Sequence, residues 1–303
     1  MKPLNTILVA VDFSTGSRAA LEQAARIAHL QGAALHVLHV INSAAVTAQA
    51  ESRETCYEDQ ARTASEGAAK ALDLWLETIL LPKCRHVHIV TGTPLDEILA
   101  QSVKLEADLL VAGIAGSGDA PAGIGSVSGK LARQSSSRML LVRASHPHAF
   151  KKVVACIDFS ETSREVAAAA HQIALKDGAS VDFLHVWQDP WMAVSYGVPF
   201  GEIGAPTITA TPEQREEFLQ NLSRELHEFV SAAAQGIQSV EVLQEASNYG
   251  NGIAAHAHEA GADLIIIGNR GRTNLRYVLL GSTAEFLLTQ LPCSLLVVKP
   301  DVE

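Results

Sequence analysis

Residues 7–40 read ILVAVDFSTGSRAALEQAARIAHLQGAALHVLHV, and residues 153–186 read VVACIDFSETSREVAAAAHQIALKDGASVDFLHV. The two stretches align without a gap at a constant offset, which places Asp12 on Asp158. We call the half of the chain that holds the first stretch copy one, and the other half copy two. A repeat of this length indicates a duplicated domain, because solenoid repeats are much shorter, at about 20 to 50 residues.

The repeat continues beyond these stretches, so the 303 residues divide into two copies of about 150, a common domain size. We expect one domain in residues 1–145 and a second in residues 151–303. The stretch between them, RASHPHAF at 143–150, is short and polar. A linker of this length favours two domains that pack together.

Each copy alternates short, β-branched apolar runs with longer helical stretches. In copy one the run Ile7–Val11 predicts a buried strand, and the helix that follows ends at Gly32, a typical C-cap. Five strands alternating with helices predict an α/β fold with a parallel sheet and right-handed crossovers in each copy. Such sheets bind ligands beyond the carboxyl ends of their strands, where the strand order reverses.

The composition excludes several classes of protein. The chain has 33 acidic and 23 basic residues, and its net charge of -10 argues against a nucleic-acid partner. No apolar run approaches the ~20 residues of a membrane span, and the N-terminal run is too short for a secretory signal, so we expect a cytoplasmic protein. The four cysteines show no CxxC spacing and are typical of reduced thiols: Cys56, Cys84, Cys156 and Cys293.

A glycine-rich loop follows the fourth apolar run of copy two. It reads Gly268-Asn-Arg-Gly271, then nine residues, then Gly281-Ser282, which opens a helix. The N–H groups at a helix start, the Ser282 hydroxyl and Arg270 together form a cradle for phosphate. Glycines at 268 and 271 permit a positive φ and a close backbone approach. The alternative is a glycine turn that only joins a strand to a helix.

The duplicated pattern, with an aspartate after strand one and G-x2-G-x9-G-S after strand four, resembles the universal stress protein family. The resemblance covers nearly the whole chain, once per copy. It implies an adenine nucleotide alpha hydrolase-like, Rossmann-like fold, with two five-stranded parallel sheets that pair through strand five as an internal pseudo-dimer. A homodimer is a further option. It also implies an intracellular stress-response protein that binds ATP, with or without Mg²⁺, in copy two. The ATP-binding residues implied are Cys156, Asp158, Val186, Ile267, Gly268, Arg270, Gly271, Gly281, Ser282 and Thr283.

Copy one departs from the pattern, because its loop is one residue shorter. Ala115 replaces Arg270, and Asp119 adds a negative charge, so Coulomb repulsion opposes phosphate there. We therefore expect copy one to bind ATP weakly or not at all. The degenerate counterparts in copy one are Asp12, Gly113, Gly116, Gly125 and Ser126.

The aspartate of each copy has a second interpretation. A carboxylate that directly follows a strand can cap the next helix. This alternative stays open for Asp158 and is favoured for Asp12. His39 and His185 end the second strand of each copy, and we expect them to pack or cap rather than to catalyse.

Three further patterns fail on spacing or context. The sequence at 125–130 resembles a Walker A loop, but it has one residue too few between its glycines and lacks the final Ser or Thr. The G-x-G-x-x-A at 250–255 lacks the acidic partner of a dinucleotide site, so we expect a tight turn leading into a helix. The H-x-H pairs at 86/88, 146/148 and 256/258 are expected to be ordinary surface or linker histidines, and no metal site is predicted.

Copy two contains a long insert at residues 187–212, with four prolines and the aromatic residues Trp187, Trp191, Tyr196 and Phe200. Loops of this length often cover ligands, although packing against copy one or a partner is the favoured interpretation.

The leading function hypothesis is a nucleotide-dependent regulatory or binding module. One alternative is a slow ATPase, although the sequence contains no dedicated base. The other is a carrier or scaffold for a different nucleotide-linked or apolar ligand.

Overall fold

The protein is described by a computed structural model that covers residues 3–80, 82, 84–114, 124–145, 148–191, 210–271 and 280–299. Its strands form one continuous ten-stranded sheet, with helices on both faces. Within the described residues, no helix is both long and apolar enough to cross a membrane.

Copy one contains five strands and five helices within the described residues. The strands are β1 (Thr6–Val11), β2 (Ala34–Asn42), β3 (Arg85–Gly92), β4 (Leu109–Gly113) and β5 (Arg138–Val142). The helices are α1 (Thr15–Gln31), α2 (Ser43–Ser52), α3 (Tyr57–Leu76), α4 (Pro94–Lys104) and α5 (Ser126–Gln134).

Copy two repeats this order, but the described residues contain no counterpart of α2. The strands are β6 (Lys152–Cys156), β7 (Ser180–Trp187), β8 (Ser239–Glu245), β9 (Leu264–Gly268) and β10 (Ser294–Val298). The helices are α6 (Glu161–Asp177), α7 (Pro212–Ala234), α8 (Tyr249–Glu259) and α9 (Ser282–Thr289).

The strand order is β3-β2-β1-β4-β5-β10-β9-β6-β7-β8. Neighbouring strands within each copy are parallel, and β5 joins β10 antiparallel, with Leu140 opposite Leu296. The predicted fold class is therefore confirmed, with two parallel five-stranded sheets paired through strand five. The strand order reverses between β1 and β4 and again between β6 and β9, which marks one ligand-binding position per copy.

Two apolar layers hold the helices against the sheet. One layer lies under α1, α3, α6 and α7, and the other under α4, α5, α8 and α9. All five residues of β5 and all five of β10 are buried, which explains why four of the five in each strand are apolar, the first residues being Arg138 and Ser294. Alanine dominates the inner face of α1, and this lets that helix lie close to the strands.

The turn between strand one and helix one has the same strained backbone in both copies. Phe13 and Phe159 have φ values of 64° and 63°, a region that bulky residues rarely occupy. Each ring packs on the histidine that follows in strand two, with centroids 4.6 Å from His39 and 4.5 Å from His185. Both histidines bond a main-chain carbonyl through Nδ1, so they pack and support the turn as expected.

The α2 helix was not predicted from the sequence. Asn42 caps it by accepting a hydrogen bond from the Ala44 N–H at 3.0 Å, and Val46 and Ala50 bury its inner face. Its sequence, SAAVTAQAES, has no strong apolar face, which is why periodicity does not reveal it. The α2 helix follows β2 directly, whereas the corresponding part of copy two runs into residues 192–209, which lie outside the described residues.

The two copies cap each other's helices across β5 and β10. Arg143 of copy one donates to the carbonyl of Leu291, just beyond the end of α9. Lys299 of copy two donates to the carbonyl of Ser135, just beyond the end of α5. A cation at a helix C-terminus satisfies carbonyls that lack helical partners and favours the helix dipole. These reciprocal caps tie the copies together at the centre of the sheet.

Candidate functional site

A cavity of about 560 Å³ lies in copy two beyond the carboxyl ends of β6, β7 and β9. It therefore occupies the point where the strand order of this copy reverses, and its volume is typical of small-molecule sites. All ten ATP-binding residues that the family resemblance implied for copy two line this one cavity. The loop and strand residues that are distant in the sequence thus meet at a single place.

Asp158 joins the start of α6 to this cavity. Its Oδ1 accepts hydrogen bonds from the Ser160 N–H at 3.0 Å and from the hydroxyls of Ser160 and Ser163, both at 2.5 Å. Its Oδ2 lies 3.0 Å from the point that a Cβ on Gly271 would occupy. Ser160 is the residue that caps α6, so the Asp158 carboxylate holds the cap in place and does not cap the helix directly. It also lines the cavity beside the glycine loop.

The glycines of this loop are required by close packing. A Cβ on Gly268 would lie 2.7 Å from Cγ2 of Thr162 on α6, which is too close for two carbon atoms. The Gly281 N–H donates to the Asn269 carbonyl at 2.7 Å and closes the loop at the start of α9. Of the two properties that glycine permits at positions 268 and 271, the structure uses the close approach and not a positive φ, which neither residue has. Steric room, rather than backbone conformation, is what these positions require.

The cavity has a strongly polar end at the start of α9. Gly281 is the N-cap, and no described side chain caps the first amide N–H groups. Ser282 and Thr283 line the cavity at this end, and so does Arg270. The Arg270 Nε is buried and has no hydrogen-bond acceptor among the described residues. A buried donor without an acceptor costs free energy, so this atom indicates a place for an acidic ligand group.

The opposite wall of the cavity is apolar and aromatic. The wall combines the end of β7 with side chains of α7 and α8: Trp187, Phe218, Leu222, Tyr249 and Ile253. The Trp187 and Phe218 ring centroids lie 5.5 Å apart. Phe218 and Leu222 were not predicted as site residues, although their spacing from buried Leu226 on one face of α7 indicated that they face the sheet.

The described part of the insert packs on copy two itself. Trp191 lies edge-on to Phe218, with centroids 5.7 Å apart, and Arg215 stacks on Trp187 at 5.3 Å. Arg215 also pairs with Asp189 at 3.1 Å and with Glu245. The contacts of this end of the insert are therefore with copy two and not with copy one, while packing against a partner stays a prediction. Tyr196 and Phe200 lie outside the described residues.

The Cys156 thiol forms part of the buried floor of the cavity. Burial first, and then the nearby Cys293 and Asp158, raise the pKa of Cys156 far above its usual value. Burial likewise raises the pKa of Cys293 to about 12. Both side chains therefore remain neutral thiols at physiological pH, and Cys156 contributes an apolar surface rather than a nucleophile.

Copy one has the same support for its aspartate but a different loop. Asp12 Oδ1 accepts from the Ser14 N–H at 3.1 Å and from the Ser14 hydroxyl at 2.6 Å. Ser14 itself caps α1 by accepting from the Ser17 N–H, so Asp12 holds the capping residue and does not cap the helix directly. A Cβ on Gly113 would lie 2.5 Å from the main chain of Gly16. The Ser128 hydroxyl donates to the Gly113 carbonyl at 2.7 Å, a contact that Ala284 cannot make in copy two.

The remaining counterparts in copy one are only partly described. Gly125 and Ser126 begin α5, as Gly281 and Ser282 begin α9. Gly116 lies outside the described residues, as do Ala115 and Asp119.

The G-x-G-x-x-A pattern of copy two lies inside α8 and does not form a turn before it. Asn248 caps this helix, and a Cβ on Gly250 would lie 2.3 Å from the Phe286 ring. A Cβ on Gly252 would lie 2.8 Å from the Val186 side chain. The two glycines therefore allow α8 to pack against α9 and β7.

Several histidines interact more than the sequence analysis expected. His36 and His88 lie on adjacent strands, with Nδ1 of the first 2.9 Å from Nε2 of the second, and His86 stacks on His36. Burial, and the proximity of the other histidines, lowers the pKa of His36. His256 bonds the buried Asp182 at 3.0 Å. His86 is exposed, as expected, whereas His88 and His256 are half-buried and bonded, so the expectation of ordinary surface histidines is wrong for those two.

Comparisons with known proteins identify relatives of the whole chain. The universal stress protein family model matches residues 3–143 and 149–299. A universal stress protein of Mycolicibacterium smegmatis is 28% identical over 306 residues and covers 97% of each chain. Another, from Methanocaldococcus jannaschii, is 33% identical over 151 residues, which cover 50% of this chain and 82% of the relative.

Two crystal structures share the fold over nearly the full length. A universal stress protein from Archaeoglobus fulgidus has a TM-score of 0.65 at 20% identity, covering 97% of this chain and 98% of its own. A functionally unknown protein from Pseudomonas aeruginosa has a TM-score of 0.66 at 18% identity, covering 98% and 93%. These structures share the fold, and the two matches to the family model show that the chain belongs to the universal stress protein family, with one copy of the family's domain in each half.

Proposed function

We propose that copy two binds an adenine nucleotide, with ATP as its ligand, and that the protein is a nucleotide-dependent binding module of a stress response. One observation supports this above all. The cavity joins an aromatic wall to a helix start at which Arg270 keeps a buried Nε donor without an acceptor in the described residues. An apolar planar base and a chain of phosphates have the complementary chemistry.

The polar end of the cavity suits the phosphates. The first N–H groups of α9 and the positive end of its dipole favour an anion. Ser282 and Thr283 add hydroxyl donors, and Arg270 adds a charge-assisted hydrogen bond. This arrangement offers phosphate oxygens several donors, including the Arg270 Nε, which is buried and has no acceptor among the described residues.

The aromatic end suits the base. Trp187 and Phe218 provide a rigid apolar surface, and Val186 lines the cavity one residue before the end of β7. Asp158 lies at the floor, where its carboxylate accepts a hydrogen bond from an amino group of the base. Among the described lining residues only Asp158 and Glu225 carry carboxylates, and Asp158 is engaged at the start of α6. We therefore propose binding rather than hydrolysis as the function, with any Mg²⁺ held chiefly by the phosphates.

Calorimetric titration with ATP tests this proposal, and the repeat supplies a matched control. Asp158→Ala and Asp12→Ala remove equivalent helix supports, but only the first removes a cavity residue. We expect Asp158→Ala to weaken ATP binding about tenfold, as loss of a charge-assisted hydrogen bond implies. Asp12→Ala should leave the affinity unchanged. Equal ATP affinity in wild type and Asp158→Ala would overturn the assignment of this site.

Stoichiometry tests the asymmetry between the copies. We expect one ATP per chain, because the copy-one loop loses the cation at position 115 and gains the anion at 119. Arg270→Gln should abolish most of that binding while the far-ultraviolet circular dichroism stays that of the wild type. Two equivalent sites per chain would contradict the expected asymmetry.

A further inference from the structure

A carboxylate lies in the first turn of the helix that forms the phosphate end of the cavity. Glu285 is the fourth residue of α9, directly after the cavity-lining Ser282, Thr283 and Ala284. Its N–H donates to the Gly281 carbonyl at 2.9 Å, so the residue belongs to the regular helix. An acidic side chain in a first turn stabilises a helix, but it competes with a bound anion for the same positive helix end.

Copy one neutralises this carboxylate. The Arg133 guanidinium of α5 donates from Nε to Oε1 of Glu285 at 2.8 Å and from Nη2 to Oε2 at 2.8 Å. This is the two-point geometry in which an arginine holds a carboxylate most firmly. Side-chain exposures of 39% and 37% leave the pair partly shielded from water and salt.

This ion pair has no equivalent at the corresponding positions of the other copy, unlike the other contacts between the copies described above. In the alignment of the repeats, Gly129 occupies the position of Glu285, and Thr289 occupies the position of Arg133. The corresponding contact, from Thr289 of copy two to Gly129 of copy one, therefore cannot be an ion pair. By contrast, Arg143 and Lys299 make the same helix cap in both directions. The ion pair therefore joins copy one to α9 alone, the helix whose start lines the copy-two cavity.

We propose that Arg133 of copy one is a positioning residue for the phosphate site of copy two, because it neutralises Glu285 at the start of α9. This inference rests on the proposed function. It makes the nucleotide site a shared property of both copies, although copy one contributes no lining residue to the described cavity. Arg133 touches Glu285 and not the ligand, so its effect should scale with the ligand's phosphate charge.

Calorimetry of wild type and Arg133→Gln with ATP, ADP and adenosine tests the proposal. We expect Arg133→Gln to weaken ATP about three- to fivefold, ADP less, and adenosine not measurably, in line with the size of charge effects at helix ends. The double variant Arg133→Gln/Glu285→Gln should recover ATP affinity to within about twofold, because the uncompensated charge is gone. The ATP effect should also shrink as salt is raised.

Arg62→Gln is the matched control, since it removes one positive charge and one exposed ion pair of copy one far along the sequence from α5. It should leave all three affinities unchanged. An equal loss of ATP and adenosine binding in Arg133→Gln, or a double variant no better than the single one, would overturn the proposal. Wild type that binds no adenine nucleotide would refute the proposed function itself. Wild type that binds ATP with an unaffected Arg133→Gln would refute this inference alone.

Discussion

Arg26 of copy one and Asp177 of copy two form a two-point ion pair, with Nη1 to Oδ1 at 2.5 Å and Nη2 to Oδ2 at 2.9 Å. Asp177 Oδ2 also accepts from the Phe150 N–H at 2.9 Å, so it anchors the segment that joins the copies. Only 4% of the Asp177 side chain is exposed. A buried carboxylate with this many partners should stabilise the packing of α1 against α6.

We therefore expect Asp177→Ala to lower the free energy of unfolding by about 3 kcal/mol, because it leaves the Arg26 guanidinium half-buried and unpaired. Urea denaturation measures the change. Asp59→Ala removes an exposed ion pair, to Arg62, and should cost less than about 1 kcal/mol. Similar losses in both variants would show that the interdomain pair has no special role.

Steric contact at Gly268 leads to a second prediction. Gly268→Ala places a methyl group 2.7 Å from Cγ2 of Thr162 and should destabilise copy two by about 1 to 3 kcal/mol. Thr162→Ala in the same chain removes that methyl and should restore part of the loss. Thermal melting of the single and double variants checks this, and an unaltered melt of Gly268→Ala would contradict the close packing.

Tryptophan emission should report ligand binding. Trp187 lines the cavity, whereas Trp75 packs on Phe13 in copy one. We expect ATP to change the emission of wild type and of Trp75→Phe, but to have a much smaller effect in Trp187→Phe. A full response that survives Trp187→Phe would place the ligand away from the aromatic wall.

The stability of the protein should rise with pH above pH 8 because of Lys299. Burial lowers the pKa of Lys299 to about 8, from about 10.5 in an unfolded chain. Between these values only the unfolded chain holds the proton, so raising the pH favours folding by up to about 3 kcal/mol. The unfolding free energy of Lys299→Met should lack this rise when both proteins are followed by urea denaturation from pH 7 to pH 10.

Acidification should destabilise the protein through the histidines of β2 and β3. The pKa of His88 is lowered by burial, then by His86 and Lys104, so protonation disfavours the folded state. Above about pH 6.5 His88 is neutral in both states and costs no stability. As the pH falls from there through the lowered folded-state pKa, the free energy of unfolding decreases. His88→Gln should flatten this loss between pH 7 and pH 5, and His258→Gln, at an exposed position, should not.

The central strands could be predicted because strands buried on both faces leave a mostly apolar run. The run Ile7–Val11 became a strand of Thr6–Val11. The predicted C-cap Gly32 and its copy-two counterpart Gly178 both have the left-handed backbone of a glycine cap, with φ of 69°. The limits 1–145 and 151–303 stay a prediction for the domains as folding units. The ligand assignments likewise stay predictions until nucleotide binding is measured.

What the sequence could not indicate depends on tertiary contacts. Phe218 reaches the cavity through the packing of α7, and His36 meets His88 through the register of β2 on β3. The positive φ of Phe159 has no local signal, because the residue type disfavours it. Pairing across the copies, as between Arg133 and Glu285, is beyond any pattern within one repeat.

The antiparallel join of β5 to β10 has a consequence for how the two halves can change over time. Two separate identical subunits joined in this way would carry every substitution twice, once on each side of the symmetry axis. In a fused chain a substitution occurs in one half only. The linker also keeps the two halves at a high effective concentration, so they remain paired even when one half no longer binds its ligand. Fusion therefore allows one half to become a support that is adapted to the other.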